Sequence, residues 1–285
     1  NSADVNSDSK RKWMCCHAIN SVREYNVFCS QNNVMAPPSD LNMWLTNANS
    51  KGSSLSIYAS APMLKQMANS SFLLDAIQFL LVFTGHKWAS VSIEVLKQYP
   101  PDITYNYSGD AAAHFTHSDR ITQVFYHELA HASHYKKVGI SYWTSYITYI
   151  LKNDGYGEST DSGSGRIAIS EAWAEFCGAS FAHLRYGNAT SIGNTWLTEI
   201  ENFMPYNSSY WAWRPEGVMH DLIDLGEPFW LTNVNDNVSG FSISQCFGAM
   251  DADVISVNGY KNRFIAKYGI NQQENINTLF KSYGY

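Results

Sequence analysis

His127-Glu128-Leu129-Ala130-His131 sets two imidazoles four residues apart, with a carboxylate directly after the first. On a helix of about 3.6 residues per turn, positions i and i+4 share a face, so one divalent cation can take both rings. Glu128 is turned by roughly 100° from His127, beside such a cation rather than on it. A general base for an activated water belongs there. Two imidazole donors suit zinc, and a hydrolytic zinc site needs three protein ligands and one open position. Chance supplies this pattern about once in a hundred chains of this composition, so its surroundings must decide its meaning.

Those surroundings favour a helix. Ser118 and Asp119 offer an N-cap and an early acid, and Ile121, Val124, Phe125 and Leu129 recur at helical spacing. Gly139 follows Lys136 and Lys137 as a stop signal. His134, at i+7 from His127, is expected on the wall of a cleft or a solvated edge rather than as a third ligand.

The third ligand is sought downstream, in Ile169-Ser170-Glu171-Ala172-Trp173-Ala174-Glu175-Phe176-Cys177-Gly178. This reads as the start of a second helix, capped by Ser170 and ended by Gly187. Glu171 and Glu175 share one face among apolar neighbours, which is costly unless a cation meets them. Zinc and its histidine would do so: Glu171 binds the metal, and Glu175 accepts the free ring N–H of a ligand histidine. First-turn acids complementing a helix dipole would account for Glu171 but poorly for Glu175. Asp154, Glu158 and Asp161 compete less well, from a Gly/Ser-rich loop spanning 153–165.

Taken together, His-Glu-x-x-His on one helix and an acid pair at i and i+4 on a later one resemble the gluzincins, the thermolysin-like zinc peptidases. The resemblance covers roughly residues 118–186. It implies Glu171 as third ligand and Glu175 as the group orienting a ligand histidine. The spacing from His131 to Glu171 is longer than in thermolysin. Glu175 stands where Asp is frequent, and Ser133 where a bulky apolar residue is common, so a diverged relative is implied. The third histidine and glycine of the metzincins are absent. The implied activity is hydrolysis of peptide or protein substrates, with Glu128 taking a proton from the attacking water and passing it to the leaving amine. A further donor is wanted for the oxyanion. His220, in the segment 211–224, is the local candidate; Tyr206 and Tyr210 are rivals, and a satisfied structural histidine is the plainer reading. His114, with His117 in a strand before the metal helix, can line an edge along which a peptide binds, or be an ordinary outward-facing side chain.

The elements that must position these residues follow from patterning. Residues 1–10 are polar and expected to be loose. A helix is expected from Arg11 to Gln31, with Trp13, Ile19, Val22 and Phe28 among its apolar positions. Leu55–Ala59, Ala89–Leu96 and Ile103–Tyr107 read as strands, and Met63–Phe83 as one or two helices. Ser141–Leu151 reads as a helix or an aromatic linker, and Ser242–Met250, Val257–Tyr268 and Gln272–Lys281 as helices. The fold class expected is α+β, with an upper lobe over 11–138 that holds a small sheet and the metal helix. A mainly helical lower lobe over 139–285 carries the third ligand, as the zincin-like resemblance implies.

The chain has 285 residues, 45% of them hydrophobic, enough for one large core or two joined lobes. A net charge of −6, with Lys10-Arg11-Lys12 as the basic run, argues against nucleic acid as a partner. No apolar run has the length of a membrane span. Few charges and many Tyr, Trp, Asn and Ser suggest an extracytoplasmic protein, secreted or surface-attached, and the start at Asn1 suggests a removed leader or a trimmed chain. The 5 cysteines form no C-x-x-C pair, so buried thiols are expected, with a Cys16–Cys29 bridge as the alternative. Two other functions stay open: a peptidase-derived module that binds peptide or glycan without turnover, and a structural domain with a coincidental motif.

Overall fold

In the computed structural model, residues 8–46, 59–60, 63, 65–67, 101–106, 118–153, 155–187, 213–224 and 234–285 are described. The expected strand over 89–96, most of the helix over 63–83, and His114, His117, Tyr206 and Tyr210 lie outside them. Helix α1 (Asp8–Gln31) begins three residues earlier than the sequence suggested. Its buried face is Met14, Ala18, Ser21, Tyr25 and Cys29, an i, i+4, i+7 stripe. Ile19 is 68% exposed and points away from the protein. Val22 and Phe28 are half-buried against the core, and Trp13 against the smaller cluster on the sheet side.

Three short strands follow: β1 (Met43–Thr46), β2 (Ala59–Ser60) and β3 (Ile103–Asn106). The order is β1-β3-β2, with β3 parallel to β1 and antiparallel to β2. Buried Asp102, just before β3, accepts the Asn42 and Gln66 backbone N–H groups at 2.9 and 3.1 Å. That carboxylate ties the entry of β1 to the 65–67 turn. Tyr105 of β3 packs with Met14, Ala18, Ile121 and Phe125, so the sheet lies on α1 and on the first turns of the next helix.

Helix α2 (Ser118–Val138) carries His127-Glu128-x-x-His131 at its middle. It is buried on almost every side, which is why its pattern is only weakly one-faced. Gly139 follows at φ 80°, a left-handed value that favours glycine, and its N–H bonds the Tyr135 carbonyl. Helix α3 (Ile140–Lys152) resolves the helix-or-linker alternative for the aromatic segment. Tyr142, Trp143, Tyr146, Ile147, Tyr149 and Ile150 form its buried stripe.

Helix α4 (Ser164–Tyr186) starts before the expected Ile169. Gly163, at φ 104°, makes the turn into it, and buried Ile167 and Ala168 carry the helix on towards Glu171. Ser170 is thus inside the helix rather than its cap, and its Oγ meets His134 Nδ1 at 3.1 Å. Beyond α4 come α5 (Val218–Asp221), α6 (Ile243–Gly248), α7 (Val257–Phe264), a π turn over Ile265–Gly269, and α8 (Gln273–Ser282). Ser242 and Gln245 close a reciprocal capping box on α6.

The described chain is mostly helical with a small sheet, as an α+β reading allows. One apolar cluster runs from Tyr25 through α2, α3 and α4 to Tyr283. All 5 cysteines are free; Cys29, Cys177 and Cys246 are buried, but Cys15 and Cys16 are exposed on α1. Among the described residues no helix is long and apolar enough to cross a membrane.

Candidate metal centre

Among the described elements, helices α2 and α4 make the most extensive contact. Gly178 lies against Gln123 and His127, Trp173 Nε1 donates to the Ala130 carbonyl at 3.2 Å, and Ser170 meets His134. The two helices therefore run antiparallel. Gly178 permits the close approach: a methyl group there would stand 3.1 Å from the Gln123 carbonyl and 3.3 Å from His127 Cβ. This brings Glu171 opposite the paired histidines. Glu171 is the eighth residue of a 23-residue helix, beyond its first turn, so a helix-dipole role does not explain it.

His127 Nε2 and His131 Nε2 lie 3.1 Å apart. Glu171 Oε2 is 3.6 Å from His127 Nε2, and Glu171 Oε1 is 3.4 Å from His131 Nε2. Donors held tetrahedrally around one zinc at its usual bond lengths are roughly 3.3–3.6 Å apart. The donor types suit a divalent ion, both Glu171 separations fall in that range and the histidine pair is slightly closer, so His127, His131 and Glu171 form a group that can hold one. Glu128, 4% exposed, has a buried Oε2 without a hydrogen-bond partner among the described residues, as does Glu171 Oε2. Unsatisfied buried oxygens of this kind call for a cation or water. Glu175 Oε1 lies 3.3 Å from His127 Nδ1, on the ring edge facing away from the donor group.

Sequence reasoning did not find the rest of the surroundings. Tyr146 Oη donates to Glu171 Oε1 at 2.6 Å, and its ring stacks on Trp143 with centroids 4.6 Å apart. Arg214 Nη1 is 3.6 Å from Glu171 Oε2, its Nη2 is 2.6 Å from Glu216 Oε1, and its guanidinium covers the Tyr156 ring at 4.6 Å. Arg214 and Glu216 are both buried.

Charge is concentrated here. Burial opposes a proton on His127, yet Glu175, Glu128 and Glu171 together raise its pKa to about 10. Burial pushes Glu128 up to about 7, against the pull of both histidines. Glu171 is held well below the usual carboxylate range: burial alone would raise it, but His131, His127 and Arg214 prevail. Burial likewise lifts Glu216 to about 8, with Arg214 opposing. Four glutamates thus share this region with the Arg214 guanidinium, which pairs with Glu171 and Glu216.

The remaining expected residues fall as follows. His220 is half-buried on α5, with its backbone N–H bonded to the Gly217 carbonyl. It is not part of the donor group, although its segment reaches Glu171 through Arg214. His134 is fully buried against Tyr142 and Trp143, not on a cleft wall or solvated edge, because α3 covers that side of α2. Glu158 is exposed, and Asp161 accepts from the Glu158 N–H at 2.8 Å, so neither joins the donors. In comparisons with known proteins, no family model, no curated sequence and no solved structure matches the chain.

Proposed function

We propose that the chain is a zinc-dependent peptidase, a diverged member of the gluzincin type. The observation that carries this reading is the convergence of His127, His131 and Glu171 from two antiparallel helices, with Glu128 buried beside them and an oxygen unsatisfied. These three side chains would hold the metal. Zinc, when bound, supplies Lewis acidity that brings the pKa of a water towards neutrality and polarises a carbonyl. Glu128 accepts a proton from the attacking water at a carboxylate oxygen and delivers it to the departing amine nitrogen. Glu175 accepts from His127 Nδ1, which fixes the tautomer and leaves Nε2 free to ligate. The stacked rings of Trp143 and Tyr146 exclude water from the His131 side. His220 is proposed as the additional donor to the developing oxyanion.

Two measurements on the full chain test this. Elemental analysis should find one zinc per chain, lost in the double variant His127→Ala/His131→Ala. Glu128→Gln should keep the zinc and lose roughly 10²–10⁴-fold of the turnover of an undirected peptide mixture. Turnover that survives this substitution sinks the mechanism. Zinc retained by an unaltered chain that cleaves nothing would favour a binding module.

A further inference from the structure

Glu171 is held in an unusual way for a single carboxylate. Oε1 lies between His131 Nε2 at 3.4 Å and Tyr146 Oη at 2.6 Å. Oε2 lies between His127 Nε2 and Arg214 Nη1, each at 3.6 Å. Each oxygen therefore faces one candidate ligand ring and one donor from another element. Tyr146 comes from α3 and Arg214 from the segment before α5, so three parts of the chain meet on one side chain. Both outer donors are themselves fixed. The Tyr146 ring is stacked on Trp143 and lies 6.2 Å from the His131 ring. Arg214 is anchored by Glu216 at 2.6 Å and covers Tyr156.

A glutamate carboxylate, on three rotatable side-chain bonds, reaches a metal in many orientations, and each one it must abandon on binding weakens affinity. A phenol hydrogen bond at one oxygen and an ion pair at the other reduce that freedom in advance. A short phenol–carboxylate bond is of the stronger, charge-assisted kind. Glu216, 2.6 Å from Arg214 Nη2, holds the guanidinium in that position.

We infer that Tyr146 and Arg214 are positioning residues that brace the two oxygens of Glu171 from outside and preset the carboxylate for a divalent ion, an inference that rests on the metal-site reading above. They act through Glu171 and touch neither substrate nor reacting atoms. Glu216 serves them indirectly, as the anchor of Arg214.

The test uses the metal-free full chain, zinc competition against a chromophoric chelator, and the visible absorption of the cobalt(II) form. Tyr146→Phe keeps the stacked ring and removes the hydroxyl. It is expected to weaken zinc binding by about 10-fold to 100-fold and to change the cobalt bands. The paired variant Arg214→Met/Glu216→Gln removes the second brace without stranding a buried charge, and a loss of similar size is expected. Glu216→Gln alone, which leaves Arg214 in place but less firmly anchored, should lose less. All titrations are run well below each variant's unfolding temperature, so a role confined to fold stability would shift that temperature and leave affinity and cobalt bands unchanged. That result, in Tyr146→Phe and in whichever Arg214 or Glu216 variant folds, overturns the brace while leaving the metal site standing. Failure of the unaltered chain to bind either ion overturns the metal site, and the brace with it.

Discussion

At the residue scale, the two histidines and the two glutamates were legible because helical spacing alone puts i and i+4 side chains on one face. Their partners were not legible, since Tyr146 and Arg214 reach Glu171 across 25 and 43 positions of sequence. Each carried a faint signal: Tyr146 sits in the aromatic stripe of 142–150, and Arg214 stands in the same stretch as His220. A histidine draws attention as a donor, whereas an arginine in a Trp- and Pro-rich segment looks structural. His220 is the residue whose role most needs a measurement. If it meets the oxyanion, His220→Ala should retain zinc and KM while kcat falls by roughly 10²–10³. A drop smaller than threefold in steady-state turnover would remove it from the mechanism and leave a structural histidine on α5.

At the element scale, the metal helix was readable from both ends, through the acid at Asp119 and the stop at Gly139. The start of α4 was misplaced because Ser170 has the chemistry of a cap. Its hydroxyl meets buried His134 instead, and Gly163 makes the turn that begins the helix. No sequence rule separates these cases, because a serine's bonding choice is set by the helix packed opposite. The same packing sets the reach of the ligands. Gly178 allows α4 to approach the backbone at Gln123 and the β-carbon of His127. Gly178→Val would force the helices apart, at a cost of about 1–3 kcal/mol for overpacking. It should also weaken zinc binding, because His127 is displaced relative to Glu171. Denaturation and zinc titration of the same sample check both effects. Lowered stability with wild-type zinc affinity would mean that the spacing of α2 and α4 does not control the donor group.

At the scale of the whole molecule, the mostly helical content with a small sheet was legible in the sequence. The order β1-β3-β2 was not, because parallel pairing of β1 with β3 joins strands about 60 residues apart. The larger apolar cluster, from Tyr25 to Tyr283, links both sides of the metal site, so global stability registers the charge state of groups buried between α2, α3 and α4. His134 offers a clean test. Burial, with further disfavour from His131 and Lys137, holds its pKa well below 6.5 in the folded chain. Below pH 6.5 the unfolded chain takes up a proton that the native chain refuses. The stability associated with His134 is therefore fully present above about pH 6.5 and is lost as pH falls towards the folded pKa, by at most about 1.4 kcal/mol per pH unit. Loss of metal as its ligands protonate would add to this, so the measurement belongs in excess chelator. Metal-free Glu128 works in the opposite direction: its raised pKa adds stability as pH falls from about 7 towards its unfolded value. Comparing the unaltered chain with His134→Gln cancels that contribution, because Glu128 is common to both. The glutamine keeps a polar atom near Ser170 but cannot titrate. Urea unfolding at stepped pH should show the stability advantage of the histidine chain shrinking between pH 6.5 and 5. An advantage that stays constant over that range would mean that His134 takes its proton in the folded protein, and that the packing of α3 over α2 is looser than its rings imply.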